Sequence, residues 1–238
     1  LADMGAEVIK VESKKRIDYM RLGRPLIGTD PDVEQNPWFH AVNRNKKSIS
    51  LDLKNAEDLV FLKKLIEISD VLVENFRPGV MKRLGLSFDE VSKVNPRIVY
   101  GSISGFGSEI FGESSYKNWP SYDVVAQAMG GLISLTGYDE KTPLKVGPGI
   151  ADIFSGSLLS FGLLASILKS RDTGRAQFVE VAMYDAIISM CERAIYQYDF
   201  DKIIPKPEGN GHPLLAPFGV YNAKDGFIAI GIVEDSYW

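Results

Sequence analysis

The chain has 238 residues, 45% of them hydrophobic and 24% charged, and its net charge is −4. That is an ordinary globular mixture with room for one large α/β domain, or one domain and part of a second, and it argues against a nucleic-acid partner. The lone Cys191 excludes an internal disulfide and suits a reducing, cytoplasmic setting; the apolar run Leu158–Leu168 holds Ser160 and Ser166, reads as too short to span a bilayer, and no secretory signal pattern is read at the start.

In chain order, Leu1–Glu12 reads as the tail of a helix that turns at Gly5 into a strand, followed by the basic run Ser13-Lys14-Lys15-Arg16. A long loop is expected next, roughly 30 residues that include Trp38, Phe39 and His40, and loops of that length are uncommon unless functional. Lys47–Leu53 is a second strand. Asn55, with Asp58 three residues on, opens a helix whose apolar stripe is Leu59, Leu62, Leu65 and Ile66. Val71–Glu74 is a short strand, Asn75–Gly79 a turn, Phe88–Val94 a helix, and Arg97–Ile103 a strand leading to Gly105-Phe106-Gly107. This alternation predicts a parallel sheet with helices on both faces.

After a polar, aromatic segment over 108–120, Tyr122–Leu135 reads as a helix broken by Gly130-Gly131. Val146-Gly-Pro-Gly-Ile-Ala-Asp152 then leads into a long helix, with Phe154, Leu158, Phe161, Ala165 and Leu168 at helical spacing and a polar end at Gly174. That spacing puts Asp152 at the N-cap, where backbone N–H groups and the helix dipole would keep it ionised and aimed, as a carboxylate nucleophile requires. The plainer alternative is that Asp152 only caps its helix. Ala176–Met183 is a strand and Ala186–Tyr198 a helix. The stretch over 203–217, with Pro205, Pro207, Pro213 and Pro217, is the candidate domain boundary, and a strand pair begins near Gly219. The abrupt start and a strand at Asp225–Val233 close to the last residue give the expectation of a fragment of a longer polypeptide.

Ligands of open parallel sheets gather at the carboxyl ends of strands. That rule singles out Lys14–Arg16, Lys54, the stretch from Asn75 to Arg83, and Gly105–Gly107. Lys54, Arg77 and Arg83 have the chemistry to hold phosphate oxygens, although such residues are usually solvated surface charges. Gly147-Pro-Gly149 starts like a dinucleotide fingerprint but places Asp152 where a small neutral residue is needed, which argues against nicotinamide or flavin binding. No Walker loop, nucleophile elbow or metal-type His/Cys spacing is read. His212, in Gly209-Asn-Gly-His-Pro213, is either a turn residue or a loop residue near a site.

Several of these segments, in this order, resemble the class III CoA-transferases. They are Leu1–Glu12, Asn43–Lys54, Val73–Gly79, Arg83-Leu-Gly85, Asn95–Tyr100, Gly105-Phe-Gly107 and Asp152–Gly156. The resemblance implies a Rossmann-like large domain, here 1–202 without its first strand and most of its first helix. A linker and the start of a smaller α+β domain would occupy 203–238, in an interlocked homodimer. It implies that Asp152 is the nucleophile and that Leu51, Asp52, Leu53, Lys54, Asn75, Phe76, Arg77, Arg83, Tyr122 and Asp123 contact CoA. A basic residue common after the first Val-Glu pair is Ser13 here, with Lys14 and Lys15 beside it. The implied substrates are an acyl-CoA and a carboxylic acid, with no permanently bound cofactor, no metal, no nucleic acid and no membrane. Two other readings compete. In the α-methylacyl-CoA racemases of the same family a histidine falls at the position of Tyr122, and a phenol is a poor base at neutral pH, so transfer is favoured. The other is a CoA-binding protein without chemistry.

Overall fold

The structure is a computed structural model that describes residues 1–23, 32–112 and 114–237. It divides into two compact units. One comprises Leu1–Leu72, Gly79–Tyr100 and Leu164–Gln177; the other comprises Val73–Pro78, Gly101–Leu163 and the chain from Phe178 on.

In the first unit β1 (Val8–Glu12) and β2 (Lys46–Ser50) pair in parallel, with Val8 opposite Lys46 and Glu12 opposite Ser50. The Leu51 N–H extends the ladder to the Glu12 carbonyl at 2.8 Å. The segment between them is not the plain loop expected. It holds α1 (Tyr19–Leu22), capped by Asp18, and α2 (Pro37–Val42), capped by Asn36 with Pro37 at the first helical position. Asn-Pro followed by an aromatic run is a helix start, because proline at that position gives up an N–H that would be unpaired anyway. Arg21 ties the segment to β1. It donates two 2.9 Å bonds to Glu12 and lies 3.6 Å from the centre of the Phe39 ring. Positions 24–31 of the expected loop lie outside the described residues.

Asn55 caps α3 (Ala56–Glu67) by accepting from the N–H groups of Glu57 and Asp58, and Leu62 and Ile66 carry its buried face. The Asn95 amide then donates to the carbonyls of Ile66 and Ser69, pairing groups that the helix end would leave orphaned. β3 (Val71–Glu74), α4 (Val80–Arg83), α5 (Phe88–Val94) and β4 (Val99–Ser104) follow. Leu86, Val91, Ile98 and Val99 form the inner core, and the Tyr100 hydroxyl donates to the Leu86 carbonyl.

The second unit holds α6 (Asp123–Met129) and α7 (Leu132–Leu135), divided by Gly131 at φ 91°. The long α8 (Ile150–Thr173) leads to β5 (Gln177–Ala182), which joins a three-stranded sheet in the order β3-β4-β5. Ala186–Tyr198 is not one helix. It lies across α9 (Met183–Met190) and α10 (Glu192–Asp201), which meet at the buried Cys191. β6 (Phe218–Ala223) and β7 (Gly226–Gly231) form an antiparallel hairpin. Ala126, Ala151, Met183, Ile187 and Cys191 make the core around which α6, α8 and α9 meet.

Glycines set how closely α8 lies on the sheet. A Cβ at Gly101 would come within 2.9 Å of Leu163, and one at Gly162 within 2.8 Å of Val179. The helix is longer than the apolar run suggests: its 24 residues have length and hydropathy enough to cross a membrane. Its Ala151, Ser155, Leu159 and Leu163, four residues apart, are nevertheless buried within the protein.

Candidate active site

Helix α8 begins earlier than the sequence pattern places it. The Ile153 N–H bonds the Gly149 carbonyl at 3.0 Å, so Gly149 occupies the cap position and Asp152 is the third residue inside the helix. Asp152 is therefore not the N-cap. A glycine cap has no side chain for the exposed N–H groups of the first turn, and a residue from another helix supplies one. Asp123, the first residue of α6, accepts from the N–H of Ala151 at 2.8 Å and of Asp152 at 3.3 Å through Oδ1. Its Oδ2 accepts from Gln127 Nε2 at 2.6 Å. Gln127 Oε1 in turn accepts from the Val146 N–H at 3.0 Å, so both ends of the Val146–Asp152 segment are tied to α6.

Relieved of capping, the Asp152 carboxylate is free for chemistry. Its residue is solvent-accessible, yet burial by its surroundings raises its pKa above the ordinary 3.8, and the neighbouring Asp123 charge raises it further. The expectation that the helix terminus would hold it firmly ionised is thus corrected, because Asp123 occupies that terminus. A Cβ placed at Gly149 would lie 3.7 Å from Asp123 Oδ1 and 3.8 Å from Asp152 Oδ2, so both carboxylates flank that glycine. A more basic carboxylate is a better nucleophile once deprotonated.

Of the remaining expected site residues, Leu51–Lys54 and Asn75–Arg77 follow strand ends, whereas Arg83 and Tyr122 lie at helix ends. After β2, Leu51 is buried and Lys54 exposed. Asp52 bonds Lys15 Nζ at 2.6 Å and the Lys54 N–H at 3.1 Å, which places Lys15 beside this turn. After β3, Asn75, Phe76 and Arg77 are exposed, and the Phe76 N–H donates to Glu74 Oε2 at 2.8 Å, fixing the turn. Burial raises the Glu74 carboxyl pKa, and the Ser102 hydroxyl donates to it. Arg83 closes α4. Lys54, Arg77 and Arg83 form no ion pair with a described residue and so remain open to an anion. Tyr122 precedes α6 and is 69% exposed. His212 lies in the loop before β6, and its Nδ1 accepts from the Leu214 N–H. Sequence reasoning missed Gln127, which is fully buried; its spacing of four from Asp123 on a helix was the available signal.

The model of CoA-transferase family III matches residues 1–238. The chain belongs to CoA-transferase family III. It is 40% identical over its whole length to the succinyl-CoA:mesaconate CoA-transferase of Haloarcula hispanica, of which it covers 60%. It is 35% identical over 226 residues to the acetyl-CoA:oxalate CoA-transferase of Acetobacter aceti, covering 94% of this chain and 56% of that one. The crystal structure of a CAIB/BAIF family protein from Brucella suis superposes with a TM-score of 0.85 at 33% identity, over 96% of this chain and 59% of that one. This member of family III therefore spans 56–60% of the length of these three relatives.

Proposed function

We propose that the protein transfers CoA from an acyl-CoA donor to a carboxylic acid through Asp152. The observation that carries this reading is an accessible carboxylate in the first turn of α8, made basic by its surroundings and released from helix capping, in a chain of this family. The Asp152 carboxylate attacks the thioester carbonyl, giving a mixed anhydride and CoA thiolate. The thiolate attacks the aspartyl carbonyl of that anhydride, releasing the donor acid and leaving an aspartyl-CoA thioester. The acceptor carboxylate then attacks this thioester to give a second anhydride. CoA thiolate attacks its acyl carbonyl, which yields the new acyl-CoA and restores the Asp152 carboxylate. Covalent capture divides a difficult exchange into easier steps and keeps the thioester energy from water.

In this reading CoA is substrate and not resident cofactor, held by the Leu51–Lys54 and Asn75–Arg77 turns, Arg83 and the segment ending at Tyr122-Asp123. Residues 1–202 belong to the large domain, 203–238 are the linker and start of the small one, and the working form is a cytoplasmic interlocked homodimer. Asp152→Asn in the full-length protein tests the assignment. Fold and CoA affinity should persist while transfer disappears, because an amide cannot form the anhydride. Hydroxylamine treatment of the parent enzyme incubated with donor acyl-CoA should modify a peptide containing Asp152. An Asp152→Asn variant that transfers at the parent's rate would refute the reading.

A further inference from the structure

We infer that Asp123 and Gln127 form a two-residue clamp that positions Asp152, with Asp123 acting on the nucleophile through hydrogen bonds and charge. The inference rests on the reading of Asp152 as nucleophile. Three observations carry it.

The first is the direction of the hydrogen bonds. Asp123 accepts three times, from the N–H groups of Ala151 and Asp152 and from the Gln127 amide. The Gln127 carbonyl oxygen accepts from the Val146 N–H. Every donor in the chain points one way, so the arrangement needs an acceptor-only side chain at 123 and a donor-acceptor at 127. The second is burial. Gln127 is fully buried and has no role toward solvent, and a buried, fully satisfied network of this kind fixes one conformation. The third is place. The residues clamped are the two ends of the Val146–Asp152 segment, and the Asp152 backbone N–H is itself one of the donors.

The charge has a second effect. A carboxylate in the first turn of a helix ordinarily has its pKa lowered by the dipole. Here Asp123 sits against the same N–H groups and offsets that field, which preserves the basicity of Asp152. The other titratable groups on and beside α6, α9 and the approach to α8 include Tyr122, Lys145, Tyr184 and Asp185. Lys145 Nζ is engaged by the Val146 and Gly147 carbonyls, and the charge acting on Asp152 is that of Asp123.

The hydrogen-bond polarity provides the test. Asp123→Asn alone must set two donors face to face, whichever way either amide turns. Gln127→Glu alone sets two carboxylates together. The double variant Asp123→Asn/Gln127→Glu restores every bond, because the new amide at position 123 then donates to the new carboxylate at position 127, and it moves the charge toward the Val146 end. In the full-length protein, Asp123→Asn should lower kcat about tenfold or more and speed amide exchange in peptides over 146–153. The double variant should recover most of both losses. Its acidic limb of kcat/KM should nevertheless lie below the parent's, because the charge has left the α8 terminus.

A single variant with the parent's rate and exchange would overturn the clamp. So would a double variant that fails to fold, or that folds and exchanges like the parent but turns over like the single variant. Failure of the Asp152 assignment would appear differently: the exchange pattern of the cycle would hold, but hydroxylamine would trap no adduct at Asp152.

Discussion

Burial and the Asp123 charge raise the Asp152 carboxyl above 3.8, so over a range of pH the native state keeps a proton that the unfolded chain has released. Stability contributed by this group therefore falls as pH rises from 3.8 through the native value, and at neutral pH its ionised form is a net cost. Asp152→Asn should accordingly melt higher than the parent at pH 7, with the difference vanishing near pH 3, where both side chains are neutral. Equal or lower melting at pH 7 would show that the carboxylate is not strained by its site. Lys54 and Arg83 carry the opposite expectation, a role in binding and none in stability. Changing either to Ala should weaken CoA by about 1.5–3 kcal/mol if a charged hydrogen bond to phosphate is lost, and should spare pantetheine. Calorimetric titration with both ligands distinguishes this from a general loss of affinity. At this scale Asp152 was legible because a glycine-rich approach and a long periodic helix frame it. Its cap was not, because the capping carboxylate is that of Asp123, 28 positions before Ala151, and Gly149 has no side chain to mark the helix start.

Among the elements, α8 carries the site and its position depends on what the strands leave open. Leu163 and Leu159 settle over Gly101 of β4, where a Cβ would stand 2.9 Å from one and 3.3 Å from the other. Gly101→Ala should cost about 1–3 kcal/mol by overpacking. Leu163→Ala should cost about 2–5 kcal/mol through lost burial and the cavity left behind. The two sites share one volume, so the double variant should lose clearly less than the sum, as urea midpoints with unchanged m-values would show. Additive losses would mean that the helix does not bear on Gly101 in solution. Helical periodicity made α8 and α3 legible, since each buries one stripe. The close approach through Gly101 and Gly162 was not legible, because a glycine in a strand pattern does not name the residue that will occupy its space. The α1–α2 segment was hidden for another reason. Helices of 4 and 6 residues are too short for periodicity, and their sequence signals are confined to the caps, Asp18 and Asn36, and to Pro37 at the start of the second.

On the scale of the whole chain, strand-helix alternation was enough to read the α/β class, while the β3-β4-β5 order had to come from the structure. The outer face of α8 remains to be accounted for. Ile153, Phe161, Leu164 and Leu168 are 60%, 76%, 54% and 64% exposed, a row of large apolar side chains that water hydrates poorly. The opposite face of the same helix packs on the sheet through Leu159 and Leu163, which makes α8 a packed helix of the fold with one face uncovered. A protein surface suits it better, and the interlocked homodimer proposed above would supply one. If the subunits are threaded as proposed, they cannot part without unfolding, and the full-length protein should sediment as a dimer even at nanomolar concentration. Replacing Phe161 and Leu168 with Ser should lower the yield of folded dimer without producing a stable monomer. The same protein should stay in the supernatant when centrifuged with phospholipid vesicles. An active monomer at nanomolar concentration would refute the dimer, and pelleting with vesicles would assign the α8 face to lipid instead.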